Sequence, residues 1–313
     1  MTMKPARLKR GDTVGIIAPA SPPNAKQLKK SLDFLKELGL NVKIGTSVYK
    51  EYGYLAGTDE ERLEDIHCMF KDPEVHAIVC ACGGFGTGRI VSKLNYDLIK
   101  QHPKIFWGYS DITFLHTAIH QQTGLVTFHG PMLSSDIGLD DVHELTKQSF
   151  QQLFNQQPIE YTNHLSPLET VVEGEASGPV IGGNLTLLVN TLGTPFEVDT
   201  KGKVFFIEDI DEEPYKVDRM VNQLKMAGKF QDAEGIIIGD FHNCDPVKRE
   251  QSLTLDEIFT YHIAQANKPT MKGFKIGHCS PTIAIPIGSI GRMNTYDQTF
   301  IVESGIEEKD EAE

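Results

Sequence analysis

Short apolar runs alternate with amphipathic stretches through the first half of the chain. Thr13–Ile17 reads as a buried strand that runs into the Pro-punctuated loop Ala18–Ser21. Asn24 then precedes Ala25, Leu28, Leu32, Leu35 and Leu38 at helical spacing, and Gly39 closes the pattern. Val42–Ile44 is a second short strand. Thr58-Asp59-Glu60-Glu61 has the form of a capping box, opening a helix whose apolar stripe is Leu63, Ile66 and Phe70. His76–Ala81 is a third strand, followed by a glycine-rich turn at 83–88, a helix over 88–101, a strand ending at Trp107, and a helix after Ser110 with Ile112, Leu115, Ala118 and Ile119 on one face. This alternation predicts an α/β fold built on a parallel sheet covered on both faces. Ligands of such sheets sit outside the carboxyl ends of the strands, where the turns 83–88 and 108–111 both fall.

The pattern changes further along. Asp140–Gln156 predicts one more helix, with Val142, Leu145, Phe150 and Leu153 inward. Residues 157–178 are polar and punctuated by Gly and Pro, with a strand at Thr170–Val172, and read as a linker between an N-terminal domain over 1–156 and a C-terminal domain over 179–313. The second domain carries Gly182-Gly183-Asn184-Leu185 opening a helix, the strand Val204–Glu208, a helix from Pro214, the strand Gly235–Gly239, a helix near 254–266 and short strands over 283–302. It is predicted as smaller, mixed α/β and less regular than the first. A chain of 313 residues is comfortable for two such cores.

Charge and composition narrow the function. A formal net charge of -13 argues against nucleic acid as a partner, because phosphate binding needs a basic face. Part of that excess lies in the acidic tail Glu303–Glu313, read as a solvated end. No apolar run approaches the length that spans a bilayer, and no apolar core follows the positive charges of the first ten residues, so a cytoplasmic protein with no membrane partner is expected. The five cysteines, Cys68, Cys80, Cys82, Cys244 and Cys279, are odd in number and have no zinc-ribbon spacing. Free thiols are expected, with no disulfide framework and no structural metal.

Several residues carry candidate chemistry. Ser110 lies in Gly108-Tyr109-Ser110-Asp111, a sharp strand-to-helix turn, where it reads either as a helix cap together with Asp111 or as a nucleophile at the positive end of a helix. Cys82-Gly83-Gly84-Phe85-Gly86-Thr87-Gly88 lacks the order of a dinucleotide or Walker loop and follows the third strand rather than the first. Its amides suit half of an oxyanion hole, and its glycines equally suit turn geometry alone. His116 and His120 share a helical face at i, i+4, but Thr117 stands where a zinc protease has Glu, so they read as helix-surface histidines without a metal. Glu208 ends an apolar strand, where a carboxylate is held rigidly enough to orient an imidazole. Asp209, Asp211, Glu212 and Glu213 read as a solvated loop or as acids favouring the helix from Pro214. His278, in the loop 275–281, suits a structural role as readily as a base. Cys279 beside it offers a thiol, although neighbours in an extended loop point apart.

Taken together, Gly-Tyr-Ser-Asp at 108–111, Ile207-Glu208-Asp209 with Pro214-Tyr215 and Asp218-Arg219 downstream, and Gly277-His278 resemble the LD-carboxypeptidase family. These are serine peptidases of murein tetrapeptide turnover, with relatives that inactivate microcin C-type antibiotics. The likeness extends to Gly11–Val14, Ile17–Ser21, Leu55–Arg62, Gly83–Gly86, His129–Pro131 and Gly182–Leu185. It implies a flavodoxin-like N-terminal domain carrying a nucleophile at Ser110, and a C-terminal domain carrying Glu208 and His278, with the active site between them. The family's oxyanion-hole amides fall on Gly84 and Asp111. The implied activity is cofactor-free and metal-free release of terminal D-Ala from a small peptide substrate by a homodimer. The alternatives are a microcin-type peptidase acting on an aminoacyl-nucleotide analogue and a non-catalytic murein-peptide-binding protein. The chain has Cys82 where relatives often have Arg before the Gly-Gly pair, and Ile112 where a Gly-x-Ser-x-Gly elbow would place its second Gly.

Overall fold

In the computed structural model, which describes residues 2–249 and 251–308, the chain forms two compact units, each built on its own sheet. The first holds the residues up to Gln157, together with Ile283–Gly288 and the stretch from Ser304 on. The second holds Pro158–Thr282 and Ser289–Glu303.

The first unit's sheet uses β1 (Thr13–Ile17), β2 (Asn41–Ile44), β3 (Val75–Cys80), β4 (Ile105–Gly108) and β5 (Thr127–His129). They lie in the order β2-β1-β3-β4-β5, all parallel, which is the flavodoxin-like arrangement. Side chains alternate across it as a strand requires. On β4, Phe106 stacks on Phe70 of the helix Asp59–Lys71 at 6.1 Å, while Trp107 meets Phe128 and Phe150 on the opposite face at 5.8 and 4.5 Å. Both faces are therefore covered, and each fully buried aromatic contributes on the order of 1.5–3 kcal/mol.

The second sheet uses β6 (Ile159–Tyr161), β7 (Glu169–Val172), β8 (Glu175–Asn184), β9 (Val204–Ile210), β10 (Gly235–His242) and β11 (Thr270–Lys272), with β13 (Ile290–Asn294) and β14 (Thr299–Val302); β12 (Ile285–Ile287) belongs to the first sheet. The order is β6-β14-β13-β8-β9-β10-β11-β7, with a parallel core from β8 to β11 and antiparallel flanks. The helix Pro214–Met226 lays Val217, Val221 and Leu224 inward at i, i+4, i+7.

Five details differ from the sequence reading. The strand expected at Thr170–Val172 is β7, but residues 158–178 also supply β6 and the start of β8, and Ile285–Ile287 returns to pair antiparallel with β5 in the first unit. The helix expected over 88–101 is broken into Thr87–Ile90, a 3-10 turn at Val91–Lys93 and Tyr96–Gln101. There Asn95 accepts from the Leu98 N–H, offering the backbone a cap in place of a continuing helix. Asp140–Gln156 is likewise reduced to the helix Glu144–Gln148 and a 3-10 turn at Ser149–Leu153, although Phe150 and Leu153 are buried as the pattern required. The acidic end packs back on the chain: Glu307 N–H donates to Pro5 O, Glu308 pairs with Arg7 and Glu303 with Arg292. The rest of the tail expected to be solvated, 309–313, lies outside the described residues. Among the described residues no helix is long and apolar enough to cross a membrane.

Candidate active site

Strand β4 ends at Gly108, Tyr109 is extended, and Ser110 takes φ 63, a left-handed conformation that a residue with a Cβ adopts at a cost. A 3-10 turn at Ser110–Ile112 then leads into the helix Thr113–Thr123. The turn is pinned from behind. His116 Nε2 donates to Gly108 O at 2.7 Å, which makes Nδ1 the acceptor for the Thr127 hydroxyl at 2.9 Å. His116 is thus not a helix-surface residue but fully buried, and burial holds its pKa down at about 4. His120, half-buried, meets Leu125 O at 3.0 Å.

Asp111 is 2% exposed and reaches across to the glycine loop. Its carboxylate accepts from the Thr87 N–H at 2.9 Å, and its carbonyl accepts from the Thr87 hydroxyl at 2.6 Å. Burial pushes the Asp111 pKa up to about 6 against the lowering effect of those Thr87 bonds. The glycine loop itself runs from the end of β3 past the serine: a Cβ on Gly83 would fall 2.9 Å from Ser110 Cβ and 3.1 Å from Oγ. Cys82, at the position that departs from the family pattern, donates its thiol to Ser21 O at 3.1 Å. Burial pushes the thiol to about 12, so it is a neutral structural donor.

In the second unit, Glu208 sits near the carboxyl end of β9, fully buried. Its Oε2 lies 2.8 Å from His278 Nδ1. A carboxylate accepts only, so Nδ1 carries the proton in this bond, and the neutral form of the ring that this bond selects is the one whose Nε2 is basic. The loop can bring His278 here because Gly277 has φ 116 and no side chain. A Cβ there would fall 2.6 Å from Glu208 Oε2 and 2.8 Å from its Cβ. Cys279 is raised to about 12 by burial and is no rival nucleophile.

The acids after Glu208 are not the solvated loop that was expected. Asp209 is buried, accepts from Asn184 Nδ2 at 2.8 Å and from Thr186 N–H and hydroxyl at 3.0 and 2.9 Å, and is raised to about 6 by burial and then by Glu208. Glu213 accepts the N–H groups of Val247 and Lys248. Only Asp211 is exposed, and Glu212 pairs with Lys216 at 2.8 Å. The sequence signal that was available for the Asp209 partner is Asn184, which caps the helix Leu185–Thr191. All five cysteines are free, and among the described residues no group of three or more His, Cys, Asp or Glu is placed to hold a metal.

A serine in a strained turn at a strand end, and an imidazole whose Nδ1 is tied to a buried carboxylate, are the parts used by hydrolases that act through an activated hydroxyl. Two family models match the chain, the LD-carboxypeptidase N-terminal domain over residues 14–130 and the LD-carboxypeptidase C-terminal domain over 177–293. The chain belongs to the LD-carboxypeptidase family, and so is a hydrolase of the carboxypeptidase kind. It is 62% identical over 308 residues to a probable murein peptide carboxypeptidase of Bacillus subtilis, covering 98% of this chain and 97% of that one. It is 31% identical to a murein tetrapeptide carboxypeptidase of Pseudomonas aeruginosa, over 88% of this chain and 91% of that one. The microcin C7 self-immunity protein MccF of Escherichia coli is 27% identical, over 90% of each chain. The structure of MccF in complex with glutamyl sulfamoyl guanosine matches with a TM-score of 0.88 at 25% identity, over 96% of this chain and 98% of that one.

Proposed function

We propose that this chain is a serine carboxypeptidase that hydrolyses the L,D peptide bond and releases terminal D-Ala from murein tetrapeptides, in peptidoglycan recycling. The observation that carries the reading is the buried Glu208–His278 bond, in a chain 62% identical to a probable murein peptide carboxypeptidase. In this mechanism His278 Nε2 takes the proton of Ser110 as Oγ attacks the carbonyl carbon. Glu208 keeps the proton on Nδ1 and stabilises the imidazolium. The amides of Gly84 and Asp111 receive the oxyanion, a contribution of roughly 3 kcal/mol per donor at comparable sites. His278 then gives its proton to the leaving amine of D-Ala and activates the water that cleaves the acyl-enzyme. The reading needs no metal or cofactor, and extends to a cytoplasmic homodimer.

The match to MccF favours a second reading, in which the same groups cleave an aminoacyl-sulfamoyl nucleotide. Release of D-Ala from a defined murein tetrapeptide is followed beside cleavage of that analogue. The expected outcome is D-Ala release by the wild type and none by Ser110→Ala, with unchanged thermal unfolding. Turnover retained in Ser110→Ala would remove the mechanism, and cleavage of the analogue alone would move the function to the second reading. A serine-reactive phosphonate that leaves Ser110 unmodified in folded protein would point instead to a binding protein.

A further inference from the structure

The glycine loop is held by two side chains that the mechanism does not use. Arg62, on the helix Asp59–Lys71, is fully buried, although it is a cation. Its Nη1 donates to Gly86 O at 3.0 Å and to Pro19 O at 2.6 Å, and its Nη2 donates to Asp59 Oδ1 at 2.5 Å. One guanidinium therefore ties the glycine loop after β3 to the loop after β1. Ser21, from that β1 loop, accepts the Phe85 N–H on its Oγ at 3.2 Å and donates its own N–H to Gly83 O at 3.1 Å.

Both side chains occupy space that a glycine leaves open. Gly84 has φ 108, and a Cβ on it would fall 2.2 Å from Ser21 Oγ. Gly86 has φ 133, and a Cβ on it would fall 2.6 Å from Arg62 Nη1. The glycines are thus required by the clamp as well as by the backbone, and the clamp spans the Gly84 amide on both sides. Loops β1 and β3 meet where the order of the sheet reverses, the place at which such folds bind ligands. The contacts are made at Nη1 and Nη2, while Nε is buried without a hydrogen-bond partner among the described residues; the guanidinium fork reaches several carbonyls at once where a Lys would reach fewer.

We propose that Arg62 and Ser21 are positioning residues that fix the Gly84 amide for the oxyanion formed at Ser110. The proposal rests on the reading of Gly84 as an oxyanion donor and of Ser110 as nucleophile. An amide displaced by a fraction of an ångström still binds substrate but stabilises the transition state less, so the effect falls on kcat and not on KM.

The test measures kcat and KM for D-Ala release, per site titrated with a serine-reactive phosphonate, in Ser21→Ala, Arg62→Lys and Arg62→Met. Titration removes the contribution of misfolded molecules, which a merely structural role would supply. The expected result is a kcat about tenfold lower in Ser21→Ala and about 100-fold lower in Arg62→Met, with Arg62→Lys between them and KM within about threefold throughout. If the Arg62 variants do not fold, Ser21→Ala, at a partly exposed position, decides alone. Unchanged kcat per titrated site in Ser21→Ala, with Ser110 labelled in the wild type and Ser110→Ala inactive, overturns the clamp and leaves the serine mechanism standing. Failure of Ser110 to label, or turnover in Ser110→Ala, overturns both.

Discussion

Ser110 is placed through a left-handed φ of 63, a preceding carbonyl pinned by His116 and a glycine loop so close that a Cβ on Gly83 would fall 2.9 Å from Ser110 Cβ. His278 is held by a 2.8 Å side-chain bond to a fully buried carboxylate. The first arrangement spreads its constraint over a backbone dihedral, a side-chain bond and a close packing contact, so single substitutions there should erode it by degrees. The second includes a bond between two titratable groups that sets the imidazole tautomer, so a single substitution in that pair should have a large effect.

The sharpest break of that contrast is Glu208→Gln. The amide keeps the shape of the carboxylate but can donate to Nδ1, which moves the ring proton to Nε2 and removes the base that the proposed mechanism requires. At a comparable triad the same kind of change lowers kcat by about 10⁴, and a similar loss is expected here with the fold retained. Steady-state D-Ala release and circular dichroism measure the two halves of the statement. A loss smaller than about tenfold would mean that Glu208 does not set the tautomer.

The same contrast explains what could be read before any coordinates. The parallel sheet of the first unit was legible because strands such as Ile105–Gly108 are short apolar runs and their helices carry clear stripes. The breaks within 88–101 were not legible, because Asn95 interrupts a helical pattern through a local side-chain bond that periodicity does not register. The strand β8 hid behind Gly182 and Gly183, which read only as opening the helix that does follow, and also end a strand paired with β9. The acids after Glu208 misled for a related reason. Asp209 and Glu213 are buried by accepting N–H groups from residues far away in sequence, and composition alone reports them as surface. For Ser110, Glu208 and His278 the residues left alternatives open, and it was their order along the chain, matched to one family, that singled them out.

A milder break is Gly277→Ala. At φ 116 an alanine is strained, and its Cβ would press on Glu208 Oε2, Cβ and Cγ at 2.6, 2.8 and 3.0 Å. The loop must shift to relieve this, carrying the imidazole with it. Because misplacing a catalytic group by about 1 Å lowers rate by about 100-fold, that loss in kcat is expected, with KM little changed. Wild-type kcat in Gly277→Ala would show that the pair tolerates displacement and that the second unit's constraint is as distributed as the first's.

The smallest expected change in turnover comes from behind the serine, at His116, where the readout is stability against pH. The buried ring titrates at about 4, whereas an unfolded chain's His titrates near 6.5. Between these values the unfolded state binds a proton that the folded state does not, so folding stability falls as pH drops from about 6.5 to about 4, and no further below that. The gap corresponds to about 3 kcal/mol at full extent. His116→Gln can still donate to Gly108 O and cannot titrate, while the neighbours Phe106, Thr127 and His129 stay in place. Urea unfolding of the two proteins from pH 7.5 to 4.5 should therefore show the wild type losing more stability than the variant, by up to that amount. Their difference cancels the opposite titrations of Asp111 and Asp209, which both raise the cost of folding as pH climbs toward 6. Parallel profiles would mean that His116 is not held neutral, and that the Gly108 carbonyl before the serine is pinned by something other than this ring.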